Sequence, residues 1–240
     1  MEPELPQSPR TGLNGCALVD LLGQLALVEP PKPLRPPRAA TPFVEGLGLW
    51  LGWRASIPLA AALQGLAPPA ARAGAADPAF AGPTLAAQAL NRVRQSLGRA
   101  IADESSTARE DGASFVPFRR RYFGLQQAMD GAIGPLRTQL RAALAQQPAE
   151  PLRRLAALDA ALVSTLASRE QNLLALMPVL LEKHFSRLRQ AAPAAPAAPW
   201  LTTFRHDMRR LLAAELDLRL QPALGLLETL LAPPAQPHLS

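Results

Sequence analysis

The chain has 240 residues and a formal net charge of +6, from 25 basic and 19 acidic residues, and 48% of its residues are hydrophobic. This hydrophobic content is enough to build a buried core and excludes a wholly disordered chain. Ala and Leu, the best helix formers, number 46 and 44, whereas Val and Ile, which favour strands, together number ten. The composition therefore predicts an all-α fold.

Short helices alternate with proline-rich breaks in the first third of the chain. We predict a first helix from Thr11 or Asn14 to about Val28, and further helices over about 41–53 and 56–64. Thr11 or Asn14, Thr41 and Ser56 can cap these starts, and Pro42 and Pro58 follow the last two caps closely. The breaks are 30–42 and 67–83, which contain ten of the 26 prolines and in which helix is disfavoured.

Longer helices follow in the rest of the chain. Thr84 caps one that runs to about Ala108, with Leu85, Leu90, Val93, Leu97 and Ile101 facing inward. The next has apolar residues about every 3.7 positions, which favours a straight or slightly right-handed bundle: Phe118, Tyr122, Leu125, Met129, Ile133, Leu136, Leu140 and Leu144.

The last two predicted helices each contain a proline. One runs from Pro151 to about Gln190 with a kink at Pro178, and the other from Trp200 to Leu231 with a kink at Pro222. Their predicted inward residues are Leu155, Leu158, Leu162, Leu166, Leu173, Leu176, Leu180, His184 and Leu188 in the first, and Phe204, Met208, Leu212, Leu216, Leu220, Leu224 and Leu227 in the second.

These helices predict an elongated antiparallel helical bundle, with long C-terminal helices and shorter N-terminal ones. We predict a small N-terminal helical region over 1–66, a Pro/Ala/Gly-rich linker over 67–83, the long-helix bundle over 84–231 and a tail over 232–240. The acidic, proline-containing N-terminus is unlike a signal peptide, and no apolar stretch is long enough to span a membrane. We therefore expect a cytoplasmic protein without direct membrane insertion.

The main candidate site is FVPFRRRYF at 115–123, within a segment (115–142) that has five arginines and one aspartate. Arginines bind phosphates or carboxylates and exposed aromatic rings stack on bases. The candidate anion- or partner-binding residues are Arg119, Arg120, Arg121, Tyr122 and Phe123. The alternative is that Phe118, Tyr122 and Leu125 belong to the core stripe while the arginines cover a solvated face.

A second candidate is the tryptophan pair in GLGLWLGW at 46–53. Gly46 and Gly48 begin like a dinucleotide-binding fingerprint, but Leu51 stands where the third glycine belongs and no strand precedes it. Trp50 and Trp53 lie about one helical turn apart, which is typical of packing anchors or of an aromatic protein-contact site.

Residues that could carry catalysis or bind a metal are scattered. Cys16 is the only cysteine and has no histidine near it in sequence, and Glu182, Lys183 and His184 are adjacent and so point in different directions on a helix. Asp103, Glu104, Glu110 and Asp111 flank a predicted helix end and are typical of a solvated loop. We expect no catalytic residues, no metal site and no cofactor, and hence not an enzyme.

Several stretches together resemble an uncharacterised proteobacterial domain-of-unknown-function family that accompanies type III Zorya anti-phage defence systems. They are FVEGLGLWLGWRASIPLAAALQG (43–65), VRQSLGRAIAD (93–103), FVPFRRRYFGLQQAMDGAIGPLR (115–137), LAALDAALVSTLASREQNLLALMPVLLEKHFSRLR (155–189) and AAELDLRLQPALGLLETL (213–230). The chain departs from the resemblance at Gly46 and Gly52, where charged or polar residues are expected.

The resemblance implies an accessory subunit that works with a MotA/MotB-like inner-membrane complex and a second small soluble protein. It implies no reaction. We therefore expect a non-catalytic accessory or effector subunit that acts by protein–protein contacts and is recruited to the inner membrane by its partners. The alternative is a nucleic-acid-binding effector that engages DNA through Arg119–Arg121.

Overall fold

The computed structural model describes residues 17–27, 53–64, 82–105, 112–191 and 198–232, and all regular structure in these ranges is helical. The predicted all-α bundle is therefore confirmed. The described helices are α1 (Ala17–Gln24), α2 (Trp53–Leu63), α3 (Pro83–Ala102), α4 (Val116–Ala145), α5 (Glu150–Leu174), α6 (Met177–Ala191) and α7 (Ala198–Leu231). The helix predicted over 41–53 lies outside the described residues, apart from its last residue, which begins α2.

Helix α7 lies at the centre of the bundle and packs against α1, α3, α4 and α6. It is 34 residues long and buries side chains on more than one of its faces, as a helix does when other helices surround it. Its buried apolar residues are Leu201, Phe204, Met208, Leu211, Leu212, Leu216, Leu220, Ala223, Leu226 and Leu227. The predicted stripe on this helix is confirmed except at Leu224, which is half-buried.

Helix α4 packs along α7, and its core face is the one that the 3.7-residue period predicts. All eight predicted residues, from Phe118 to Leu144, are buried. Helix α5 packs against both α4 and α2. Helix α1 contributes Leu18, Leu21 and Leu22 to the same core as α4 and α7. The predicted linker at 67–83 falls almost entirely outside the described residues, so its role as a boundary stays a prediction.

The prediction of a single helix from residue 151 to about 190 is wrong, because the chain forms two helices there. Helix α5 ends at Leu174, Ala175 and Leu176 form a turn, and α6 begins at Met177. Pro178 has no N–H to donate to the Leu174 carbonyl, and its ring collides with that carbonyl in a continuous helix. At this position the proline breaks the helix instead of kinking it.

The break also changes which leucines face the core. Leu173 and Leu176 were predicted to face inward but are 57% and 52% exposed, whereas Leu174 and Met177 are buried. Leu85, at the start of α3, is a further predicted core residue that is exposed. Helix α3 itself ends at Ala102, earlier than the predicted Ala108.

An aromatic cluster joins the start of α4 to α6 and α7. Phe204 lies at its centre, with ring centroids 5.1 Å from Phe118, 5.0 Å from Phe185 and 6.2 Å from Phe115, and Trp200 packs edge-on against Phe185 at 5.2 Å. These offset and edge-to-face pairs are the arrangements that aromatic rings prefer. The cluster fixes α4 and α6 side by side, and the candidate site lies on the outer surface of these two helices.

Candidate functional site

The five residues from Arg119 to Phe123 occupy the first two turns of α4 and point to different sides of it. Successive residues on a helix are rotated by about 100°. Tyr122 consequently lies fully inside the core, as the core-stripe interpretation predicts, while Phe123 is 56% exposed. Tyr122 is therefore not part of a binding surface.

Arg121 does not lie on the solvated face, and that part of the core-stripe interpretation is wrong. Its guanidinium is half-buried and donates hydrogen bonds to the carbonyl oxygens of Ala100 and Ile101, each at 3.1 Å, and to that of Asp103. These carbonyls belong to the end of α3, where the helix itself supplies no donors. Burial lowers the pKa of Arg121, but an arginine side chain stays charged in proteins. Arg121 is a capping residue that ties α4 to α3.

Arg119 is exposed and paired with an acidic residue of α6. Its Nη2 donates to both carboxylate oxygens of Glu182, at 3.1 and 3.2 Å, and its guanidinium lies over the Phe115 ring, 5.7 Å from the centroid. Arg120 is exposed as well, and it has no hydrogen bond or ion pair with any residue that the structure describes. Arg120 is thus the cation of the group that remains open to a ligand.

Tyr122 is part of a buried polar cluster that the sequence pattern did not reveal. Its hydroxyl donates to Glu215 Oε2 at 2.8 Å, and Gln126 Nε2 donates to Glu215 Oε1 at 3.0 Å. Arg219 pairs with the same carboxylate at 2.8 Å and also with Asp130. Burial raises the pKa of Tyr122 well above its ordinary value, and the negative charge of Glu215 raises it further. Every polar group here has a partner, which is typical of a structural cluster.

An open groove separates the start of α4 from the junction of α5 and α6. One wall is an α4 row at positions i, i+3, i+4 and i+7, which are Val116, Arg119, Arg120 and Phe123. The other wall is formed by Ala175 of the α5–α6 turn and by Pro178, Val179 and Glu182 of α6. We call this feature the Arg–Phe groove, and its volume is about 470 Å³.

The walls of the Arg–Phe groove include exposed apolar side chains. Val116, Phe123 and Val179 are large apolar residues in these walls, and all three are exposed. Leu173 and Leu176, at the α5–α6 junction, are exposed as well. Exposed apolar patches with a polar border are typical of interaction sites.

Most of the arginines of segment 115–142 make contacts within the fold. Asp159 of α5 pairs with Arg137 at 2.6 Å and with Arg141 at 3.1 Å, and it is buried between them. With Arg119 paired and Arg121 bonded to α3, four of the five arginines of this segment are engaged. These contacts occupy guanidinium donors that a phosphate would otherwise bind.

His184 lies in the core, on a different side of α6 from Glu182. Its Nε2 is 2.8 Å from Asp207 Oδ2, and Arg187 Nη2 is 2.9 Å from its Nδ1. Because an arginine only donates, Nδ1 is the acceptor and Nε2 carries the hydrogen that points to Asp207. Arg187 also donates to the Leu25 carbonyl at 2.6 Å, so this cluster attaches the end of α1. At 3% exposure, His184 offers no surface to a substrate.

The remaining candidates are only partly covered. Trp53 is the first residue of α2, whereas Trp50, Cys16, Glu110 and Asp111 lie outside the described residues. The described helices include none that is long and apolar enough to cross a membrane.

The fold and the groove define an all-α helical-bundle protein with an open, partly basic surface site. The family model for a protein of unknown function (DUF3348) matches residues 5–232, and the chain belongs to this family. The match confirms the prediction that the chain belongs to an uncharacterised domain-of-unknown-function family. No curated protein and no solved structure matches the chain.

Proposed function

We propose that the protein is a non-catalytic accessory subunit that holds a partner protein in the Arg–Phe groove. The observation that carries this proposal is the open groove itself, with Val116, Phe123 and Val179 exposed in its walls. Leaving such side chains in water forgoes about 25 cal/mol for each Å² that a partner could cover. A protein contact at this surface would use that area.

The resemblance supports a more specific setting for this subunit. In that setting the partners are a MotA/MotB-like inner-membrane complex and a second small soluble protein of an anti-phage defence system of the Zorya type. The subunit would reside in the cytoplasm and be recruited to the inner membrane by these partners. Contact through an exposed groove fits this arrangement, because recruitment by a protein requires no membrane segment in the subunit itself.

The alternative function is DNA binding at the same surface. The observation that favours it is the exposed pair of Arg120 and Phe123, since an arginine contacts phosphate and an aromatic ring stacks on a base. The charge arrangement weighs against it, because sequence-independent DNA affinity comes from several phosphate contacts at once. Arg120 is the arginine of the group without a partner among the described residues, and a single contact gives little affinity.

Site-specific photo-crosslinking tests the proposed function. We would replace Phe123 with p-benzoylphenylalanine in cells that express the MotA/MotB-like complex and the small soluble protein. The control is the same replacement at Leu85. Leu85 is an exposed apolar residue of α3 and does not line the groove. We expect a protein adduct from position 123 and none from position 85.

Two results would contradict the proposed function. One is the absence of any protein adduct at position 123 in a protein that is expressed at the level of the wild type. The other is an adduct to DNA in its place, which would favour the alternative function.

A further inference from the structure

We infer that the occupant of the Arg–Phe groove is an amphipathic helix with acidic residues along one edge of its apolar face. This inference rests on the proposed function and adds the shape and the charge of the partner. It follows from the spacing of the α4 wall, from the imbalance of charge in the groove and from the position of Glu182.

The spacing of the α4 wall points to a helix. The α4 row follows the i, i+3, i+4, i+7 pattern, which is the face that one helix presents to another, and it covers about 10 Å of helix. Opposite this row, Pro178, Val179 and Glu182 lie on the first two turns of α6. The described helices leave this side of α4 and α6 open, and a helix placed there could bury apolar side chains against Phe123 and Val179.

The charge of the groove points to an acidic partner. Its walls carry Arg119 and Arg120 but one carboxylate, that of Glu182, so the groove has a net charge of +1. Glu182 is bonded to Arg119, which leaves Arg120 to face the partner. A carboxylate on the incoming helix pairs with Arg120, whereas a basic helix meets an uncompensated positive charge.

Glu182 takes the position at Arg119 that a carboxylate of the partner could occupy. The pair is about half-exposed, and exposed pairs of this kind contribute little to stability. Replacing Glu182 with the isosteric, uncharged Gln therefore leaves the fold intact and doubles the net charge of the groove. This substitution should strengthen the binding of an acidic helix, whereas removing the charge of Arg120 should weaken it.

The test uses the full chain and two stapled helical peptides of about 15 residues, a length at which a helix without a staple is only marginally stable in water. Both peptides carry the same leucine face. One has glutamates beside this face, and the other has lysines at the same positions. Affinities are measured by fluorescence anisotropy at two salt concentrations for the wild type, Arg120→Gln, Glu182→Gln, Phe123→Ser and the control Arg92→Gln, which alters an exposed arginine of α3.

The glutamate peptide should bind the wild type about fivefold or more tightly than the lysine peptide, and this preference should shrink at high salt. Arg120→Gln should remove most of the preference and Glu182→Gln should increase it. Phe123→Ser should weaken both peptides, whereas Arg92→Gln should change neither. Equal affinity for the two peptides, or a preference for the lysine peptide, would overturn the inference.

The peptide experiment and the crosslinking experiment can fail separately. A protein adduct at position 123 without any charge preference would keep the groove as an interface and refute the acidic helix. The absence of a protein adduct would instead refute the proposed function on which the inference rests. An equal loss of peptide affinity in Arg92→Gln and Arg120→Gln would also refute the inference, because the charge effect would then not belong to the groove.

Discussion

The two sides of the first turns of α4 differ in how many of their side chains are packed or hydrogen-bonded within the fold. On the buried side, Phe118 packs among aromatic rings and the Tyr122 hydroxyl is bonded to Glu215. On the open side, Phe123 is exposed and Arg120 has no partner among the described residues. The buried side therefore accounts for stability, and we propose that the apolar area and the charge of the open side contact another molecule. Substitutions that act on one side alone can test this division.

The largest contrast is expected between two phenylalanines of the same helix. Phe118→Ala removes a fully buried ring and should lower the free energy of unfolding by about 3–5 kcal/mol. Phe123→Ala removes an exposed ring and should lower it by about 0.5 kcal/mol or less. Chemical denaturation monitored by circular dichroism measures both values. Similar losses in the two variants would show that the two sides are not divided in this way.

Tyr122 provides the second test, because it is the only tyrosine of the chain. Burial and the charge of Glu215 raise its pKa in the folded protein, so the folded state holds the hydroxyl proton more tightly than the unfolded state does. The stability that this group contributes is fully present below its unfolded pKa of about 10 and is lost as the pH rises through the folded pKa. Ultraviolet absorbance should therefore show tyrosinate only when the protein unfolds.

Tyr122→Phe is the matched variant for the alkaline titration. It removes a hydrogen bond to a charged acceptor and should lower the free energy of unfolding at neutral pH by about 1.5–3 kcal/mol. Its stability should also fall less steeply above about pH 10 than that of the wild type. A folded wild-type protein that shows tyrosinate near pH 10 would contradict the burial of this hydroxyl.

The core face of α4 could be predicted from sequence because its buried residues recur about every 3.7 positions, whereas the predicted Leu155, Leu158, Leu162 and Leu166 of α5 are half-buried. The α4 stripe from Phe118 to Leu144 is correct throughout, since a helix that packs on one line needs apolar residues at that spacing. The prediction failed where the chain departs from one continuous helix. The chain breaks between α5 and α6 just before Pro178, and Leu173 and Leu176 at this break are exposed. A proline in a periodic pattern does not by itself distinguish a kink from a break.

Substitutions of the neighbouring residues Arg120 and Arg121 should differ less in their effect on the free energy of unfolding. Arg121→Gln removes hydrogen bonds to three carbonyls at the end of α3 and should lower the free energy of unfolding by about 1–2 kcal/mol. Arg120→Gln should change it by about 0.5 kcal/mol or less. Thermal denaturation of the two variants side by side makes the comparison, and an equal loss in both would show that Arg121 does not cap α3.

The candidate site could be located from sequence only in outline. The run of arginines and aromatic residues at 115–123 does mark one wall of the groove. Its division among a capping residue, a paired residue and an open residue depends on partners far along the chain. Glu182 is 63 positions from Arg119 and Glu215 is 93 positions from Tyr122, and no local pattern indicates such pairs. Three residues of the second wall, Pro178, Val179 and Glu182, directly follow the break between α5 and α6.

We propose that the open side of α4 binds a partner without contributing to the stability of the fold. The double variant Arg120→Gln/Phe123→Ser tests this proposal most directly. Its protection against phage infection would be measured in cells that carry the partner genes, at a level of folded protein matched to the wild type. The account predicts that protection is lost while the unfolding transition stays within about 1 kcal/mol of the wild type. Full protection by this stable variant would contradict it.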